Sequence, residues 1–379
     1  MKKVLYVATV ASHICQFHLP YLEVLQKNGY QVHVAARNNL AEKNGLSLKF
    51  CDEYFDVPFE RSPLKKRNLT AFKKLKNIIK ENNYDLIVCN TPMGGILTRL
   101  AARKSRKKGT KVIYIAHGFH FYKNAPKKYW IVFYPIEKFF ARLCDMVITI
   151  NYEDYELAKA KFKTDVRHIH GIGVSSDRYH TATDEERETA RGNLGLKKSD
   201  FAILCTGELN KNKNQEELIN AAAILSPKIK DLKILLAGNG PNEENLLNQI
   251  NGLNLQDSVK LLGYRTDLEK VMQGVDLVVS CSRREGLGLN LIEAMLSSKP
   301  VVAAYNRGHK ELIVDGLNGY LVSPDDAEDL AAKIFEIYSD DEKKIAFSTE
   351  SHKKAMEYTV SSVKKELVDD IILKIMETK

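Results

Sequence analysis

Ser280-Cys281-Ser282-Arg283-Arg284-Glu285-Gly286-Leu287-Gly288-Leu289-Asn290-Leu291-Ile292-Glu293-Ala294-Met295 is the densest pattern in the chain. The short apolar run Leu277–Ser280 leads into it, a turn with two glycines follows, and helical spacing begins at Leu289 or Asn290. Strand, glycine turn and helix in that order make one βα unit of a parallel sheet. The backbone N–H groups of Gly286, Leu287, Gly288 and Leu289 would then sit at a helix N-terminus. Unpaired donors and the helix dipole favour an anion such as phosphate there. Glu285 stands in the turn and Glu293 about one turn into the helix, so both can face one ligand. Carboxylates accept hydrogen bonds from sugar hydroxyls but repel a phosphate beside them. The arrangement suits hydroxyl groups flanking a central diphosphate. A plainer reading stays open from this segment alone, with Glu285 as an acid capping the helix and Glu293 as a solvated residue.

Similar runs extend in both directions. Upstream lie Val4–Val10, Gln31–Ala36, Leu86–Cys89, Lys111–Ala116, Met146–Ile150 and Val166–His170, then Ala202–Cys205, Lys233–Ala237 and Val259–Leu262; downstream lie Val301–Ala304 and Gly319–Val322. Each is short and continuously apolar, as in parallel strands covered on both faces. Helix-length segments separate them, and a chain of 379 residues suits two domains. The fold class expected is therefore α/β, with two Rossmann-like doubly wound domains facing across a cleft. The joint falls in the Gly/Ser-rich stretch His170–Ser176. It divides residues 1–174 from residues 175–360, and a helical tail over about 361–379 follows the last strand, free to pack on either domain, including back on the first.

Composition excludes several classes. Apolar residues at 44% and charged residues at 28% describe a globular chain rather than a disordered one. No apolar run reaches the length that spans a bilayer, and Val4–Ala11 reads as a buried first strand rather than a signal segment. The six cysteines are scattered without metal-ligand spacing and read as reduced core thiols. No GxGxxG turn follows the first strand and no GxxxxGK[ST] occurs, which argues against dinucleotide and P-loop chemistry. Without DxD or HExxH the site is expected to work with no metal and no cofactor. The net charge of +9 is unevenly spread: residues 1–175 hold 30 basic and 14 acidic residues, leaving 27 basic and 34 acidic in the remainder. The excess lies in Arg61–Lys80, Arg99–Lys111 and Lys123–Arg142, the last interleaved with Phe119, Phe121, Tyr122, Tyr129, Trp130, Phe133, Tyr134, Phe139 and Phe140. Basic residues beside large aromatics fit an anionic membrane surface. No nucleic-acid-binding motif accompanies the charge. The alternative is a set of solvated helix faces with the aromatics in the core.

Glu285 and Glu293, separated by seven residues, resemble the E-x7-E motif of the retaining GT-B glycosyltransferases of family 4. The resemblance runs through most of the second half. It takes in Thr206–Asn214, the turn Leu235–Pro241 with Gly238 and Gly240, Leu262–Asp267, Asn306–Ile313 and Asp315–Gly319. It implies that Lys213 neutralises a nucleotide-sugar diphosphate, Glu285 holds the transferred sugar and Glu293 the ribose. By the same likeness Tyr264 and Arg265 frame the base, with UDP as the nucleotide. One position departs, since Glu208 stands where the family commonly has Arg, with Lys211 as a neighbouring charge. In the first half, His117 at the end of Lys111–Ala116 matches the family's active-site histidine. Ser12, His13, His18 and His120 are weaker candidates for the acceptor side. The stretch His117–Asn151 is similar to enzymes of bacterial exopolysaccharide and capsule assembly. The implied reaction moves a hexose or N-acetylhexosamine with retention to an isoprenoid-diphosphate-linked saccharide, at the cytoplasmic face of the cell membrane. A UDP-sugar epimerase or hydrolase, and a non-catalytic membrane-binding scaffold with a degenerate site, are the rivals.

Overall fold

The apolar runs fold as strands of two parallel sheets in the computed structural model, which describes residues 1–42, 46–123 and 125–377. In the first unit these are β1 (Lys3–Val10), β2 (Gln31–Arg37), β3 (Glu53–Asp56), β4 (Leu86–Asn90), β5 (Lys111–Ala116), β6 (Met146–Thr149) and β7 (Asp165–His168). In the second they are β8 (Phe201–Thr206), β9 (Leu232–Ala237), β10 (Val259–Gly263), β11 (Leu277–Ser280), β12 (Val301–Ala304) and β13 (Tyr320–Val322). The sheet orders are β3-β2-β1-β4-β5-β6-β7 and β10-β9-β8-β11-β12-β13. Every strand pair is parallel. Central strands such as β1 and β8 are buried along nearly their whole length, which their continuous apolar sequence requires.

β3 is the strand that the apolar pattern does not reveal. Its sequence, Glu-Tyr-Phe-Asp, buries only Tyr54 and Phe55 in part, and it lies at a sheet edge where one face of hydrogen bonding is open. In each sheet the strand order reverses beside the first strand, between β1 and β4 and between β8 and β11. Loops leaving the carboxyl ends of the strands next to such a reversal are where open α/β sheets hold ligands.

The chain divides into two units, Met1–Gly173 with Val360–Lys379, and Val174–Thr359. Each has its own core. The first gathers Leu5, Val7, Leu75, Ile87, Val112 and Val147, and the second Ile203, Leu218, Ile234, Val279, Val302 and Ile334. The tail belongs to the first unit. Val363, Leu367, Val368, Ile371, Ile372 and Met376 are buried, and Lys365–Leu373 is wound in the wider π form. Lys2 Nζ donates to the Met376 carbonyl at 2.6 Å, and His170 Nδ1 meets Glu366 Oε1 at 2.6 Å. Thr378 and Lys379, the end of the expected tail, lie outside the described residues.

Five of the six cysteines are buried, and Cys51 is half-buried with Sγ donating to the Glu53 carbonyl. Among the described residues no helix is long and apolar enough to cross a membrane.

Candidate functional site

The second unit assembles one set of groups on the loops after β8, β9, β10 and β11. After β8, Asn210 Oδ1 accepts the N–H groups of Asn212 (3.0 Å) and Lys213 (2.9 Å), which curls the chain so that Lys213 turns back over the strand end. Two further contacts tie this loop to the one after β11. Arg283 N–H donates to the Asn212 carbonyl at 2.8 Å, and Asn212 Nδ2 donates to the Arg284 carbonyl at 3.1 Å. The Arg283 guanidinium also reaches the Lys211 carbonyl and the Asp325 carboxylate. The result is a direct ion pair between predicted residues, Lys213 Nζ to Glu285 Oε1 at 2.6 Å. Burial opposes the charge on Glu285, but Lys213 and a Ser282 hydrogen bond more than offset it and hold the carboxyl below its ordinary range. Glu285 is therefore an ionised acceptor.

Glu293 sits in the helix Leu289–Leu296 and behaves differently. Burial pushes its carboxyl up from 4.5 to about 7, against the lowering effects of the Tyr179 hydroxyl and of Arg178. The helix opens from Gly288, whose φ of 102° is left-handed, and no side chain caps that end. Gly308 packs on the turn so closely that a Cβ there would lie 2.8 Å from Leu287 N. His309 supports it from beneath, with Nδ1 donating to the Ala304 carbonyl at 2.6 Å and Nε2 beside Ser280 Oγ at 3.3 Å. Arg283, Asn212, Tyr179 and His309 are supporting residues that no pattern in the sequence singles out. Arg283, Asn212 and His309 fall within the segments that resemble the family, whereas Tyr179 lies outside them and has no sequence signal.

The remaining second-unit candidates are less engaged. A Cβ on Gly238 would meet the Gly207 carbonyl at 1.9 Å, and one on Gly240 the Leu209 carbonyl at 2.3 Å. The Gly238 N–H is already used by the Gly263 carbonyl at 2.8 Å. What these glycines do here is let two loops touch, and the Gly238 amide is not open to a ligand. Tyr264 is 66% exposed on the loop after β10. The Arg265 side chain forms a two-point pair with Asp267, at 2.8 and 2.7 Å. Glu208 and Lys211 are both exposed.

The first unit gathers a second set. The chain after β1 does not leave the strand as a loop: it is helical at once, Ala11–Phe17, so Ser12 and His13 lie on a helix and His18 at its end. Ser12 is committed to Asn39, which accepts its N–H at 3.0 Å and donates to its Oγ at 2.9 Å. His13 and His18 face each other, Nε2 to Nε2, at 3.3 Å, and the His117 ring centroid is 4.7 Å from that of His13 and 5.8 Å from that of His18. Asn90, at the end of β4, orients His117 through a 3.2 Å hydrogen bond to Nε2. Burial lowers the proton affinity of all three imidazoles, His13 to about 4. No spacing in the sequence shows this triplet, because β1 and β5 become neighbours only through β4. The loop after β5 is anchored where Phe119 N–H donates to the buried Asp154 carboxylate at 2.8 Å, and His120 stacks on Phe133.

A cavity of about 520 Å³ opens beside these residues. Its wall includes Val10, His13, Arg61, Met93, Ile96, His120 and Phe133. The helix Lys127–Ala141 covers one side and is fixed by a buried ion pair, Arg99 Nη2 to Glu137 Oε2 at 3.0 Å, with the guanidinium 3.9 Å above the Tyr114 ring. The expected aromatic patch is corrected here. Phe119 and Phe121 are buried, while Trp130, Phe133 and Tyr134 pack against the core. Of the expected aromatics Phe139 does reach solvent (53% exposed), and it is joined there by the aliphatic Ile131 (74%), Val132 and Ile136. Their spacing puts them along one helix face.

Both halves match families of known proteins. The model for glycosyl transferases group 1 matches residues 186–354, and the model for glycosyl transferase 4-like proteins matches residues 3–151. Over 370 residues the chain is 40% identical to EpsD of Bacillus subtilis (strain 168), a protein assigned to the glycosyltransferases, covering 97% of this chain and 96% of that one. It is 26% identical over 314 residues, 80% of each chain, to the Escherichia coli UDP-Gal:α-D-GlcNAc-diphosphoundecaprenol α-1,3-galactosyltransferase. Among solved structures, HepE of Anabaena in complex with UDP-glucose superimposes with a TM-score of 0.78 at 22% identity, covering 98% of this chain and 100% of that one. With two Rossmann-like units, a glycosyltransferase match in each, and near full-length identity of 40% to one relative, the chain belongs to the GT-B glycosyltransferases of the family 4 type.

Proposed function

We propose that this protein transfers a hexose or N-acetylhexosamine from a UDP-sugar, with retention, to a saccharide carried on an isoprenoid diphosphate. The observation that carries the donor half is the Lys213–Glu285 pair beside the uncapped N-terminus of Leu289–Leu296. A nucleotide diphosphate would draw Lys213 away from Glu285 and share its charge with the helix N-terminus. Glu285 would then be free to accept hydroxyl groups of the sugar, and Glu293, in its neutral or charged form, hydroxyls of the ribose. Negative charge developing on the leaving diphosphate is stabilised by Lys213 and the backbone donors, so the reaction proceeds without a divalent metal. The diphosphate takes the proton of the attacking hydroxyl on the same face, which preserves the anomeric configuration. His117, oriented by Asn90, serves the sugar during transfer.

The relatives support this choice of substrates. One uses UDP-galactose and an undecaprenyl-diphosphate sugar, and another is crystallised with UDP-glucose. The apolar stripe Ile131–Phe139 and the basic clusters of the first unit supply an anchor to an anionic leaflet, where such an acceptor resides. The protein is accordingly proposed to be peripheral on the cytoplasmic face of the cell membrane, in exopolysaccharide or capsule assembly.

The deciding experiment incubates the protein with UDP-glucose, UDP-galactose and their N-acetylamino forms, together with a membrane-extracted lipid-linked saccharide. The product is read by mass and its anomer by NMR. A retained anomer on the lipid is the expected result. An inverted product, or turnover of the UDP-sugar to free sugar or to its epimer alone, would overturn it.

A further inference from the structure

We propose that His13, His18 and His117 form a binding site for a divalent cation of the zinc type, with the three imidazoles as ligands and the fourth position open toward the adjacent cavity. Each residue offers one ring nitrogen, and the three atoms lie within 4.8 Å of one another. Zinc–imidazole bonds of about 2.0–2.1 Å at tetrahedral angles put ligand nitrogens about 3.3–3.4 Å apart. The His13 and His18 Nε2 atoms are 3.3 Å apart, which matches that spacing, and the His117 ligand atom completes a group held within 4.8 Å.

Two further features accompany this spacing. In the tautomers that carry the proton on Nδ1, the facing Nε2 lone pairs of His13 and His18 converge on one point, as a cation requires. The His117 ring is held by the Asn90 side chain, as outer partners hold a metal-bound histidine.

The donor set selects the class of ion. It has nitrogen and no oxygen, which suits zinc, cobalt or nickel and not magnesium or calcium. His13 also lines the 520 Å³ cavity, so an ion has a route in and a water or hydroxide can complete its coordination. A consequence follows if His117 serves the sugar, as proposed above: an ion that takes this ring removes it from transfer. Zinc would therefore inhibit an enzyme that needs no metal.

The test uses the untagged full-length protein and zinc alone, in competition with a chromophoric chelator. One zinc ion per chain is expected, bound at least 100-fold more weakly by His13→Ala and by His18→Ala, and about 10–100-fold more weakly by Asn90→Ala. Cobalt in place of zinc should give the visible absorption of a four-coordinate site, lost in His13→Ala. Thermal unfolding of each variant checks that it folds; His13, only partly buried, is the safer substitution. Absence of a saturable site, or an affinity unchanged in the folded His13→Ala protein, would overturn the proposal. Transfer assays then separate the two readings. Zinc inhibition reversed by EDTA supports both, whereas tight binding without inhibition leaves the metal site standing and removes His117 from the reaction.

Discussion

Two carboxylates with seven residues between them are held in different states by their surroundings. Glu285 is ionised because Lys213 and Ser282 reach it. Replacing it by Gln keeps the shape and removes the charge, and transfer is expected to fall about 10²–10³-fold, the usual effect of removing one preorganised group from a site of charge development. Lys213→Ala should lose a similar factor and also weaken UDP binding in calorimetry. Glu293 has a proton affinity raised from 4.5 to about 7 by burial. Between those values the folded state binds the extra proton, so its stability is fully present below about 4.5 and declines as pH rises through about 7. The shift corresponds to about 3 kcal/mol. Glu293→Gln should therefore raise the melting temperature at pH 8 and leave it nearly unchanged at pH 5. Equal effects at both pH values would show that the carboxyl is not neutral in the folded protein. The spacing of the two glutamates was legible in the sequence. Their different protonation was not, because it depends on the burial of Glu293 and on Lys213 reaching Glu285, both set by residues remote along the chain.

Among the elements, the helix Lys127–Ala141 has two unlike faces, and the proposed membrane contact concerns only one of them. Its inner face holds Glu137 against Arg99 and walls the cavity. Breaking that pair with Arg99→Ala leaves a buried carboxylate without its partner and should destabilise the first unit by about 3–5 kcal/mol, seen in chemical denaturation. Its outer face presents Ile131, Val132, Ile136 and Phe139. The double substitution Ile131→Glu and Phe139→Glu should abolish flotation with vesicles containing anionic lipid, and should leave the melting temperature within about 2 °C, since both side chains are exposed. Retained flotation would move the membrane contact elsewhere. The aromatic residues of this stretch were visible in the sequence, but which of them face inward was not. Phe121 and Ile131 are equally apolar, and only packing against β5 and its neighbours distinguishes them.

Across the whole molecule, charge and chemistry are divided between the two units. The first carries the basic excess, and the second, mildly acidic by composition, must hold an anionic donor through local groups. Vesicle binding should accordingly weaken steeply between 50 and 500 mM salt, concentrations that shorten the Debye length from about 14 to about 4 Å. UDP binding, which depends on Lys213 and backbone donors in a partly buried site, should change far less. The proposed metal-free transfer should persist after exhaustive EDTA treatment, and added zinc should suppress it; a requirement for magnesium or manganese would contradict that mechanism.

The sequence by itself determined the parallel α/β architecture, all strands but the polar edge strand β3, and the glycine turn and the two glutamates that follow β11. These are local matters: short, continuously apolar runs between helix-length segments suit covered parallel strands, and a glycine turn before a helix marks the start of that helix. Tertiary structure alone decided the remainder. It brought Lys213 onto Glu285 through the Arg283 clasp, turned Trp130, Phe133 and Tyr134 of the helix Lys127–Ala141 inward, and closed His13, His18 and His117 into one cluster. Those outcomes rest on contacts between segments remote in sequence, whose energies arise from burial and ion pairing that no local pattern encodes.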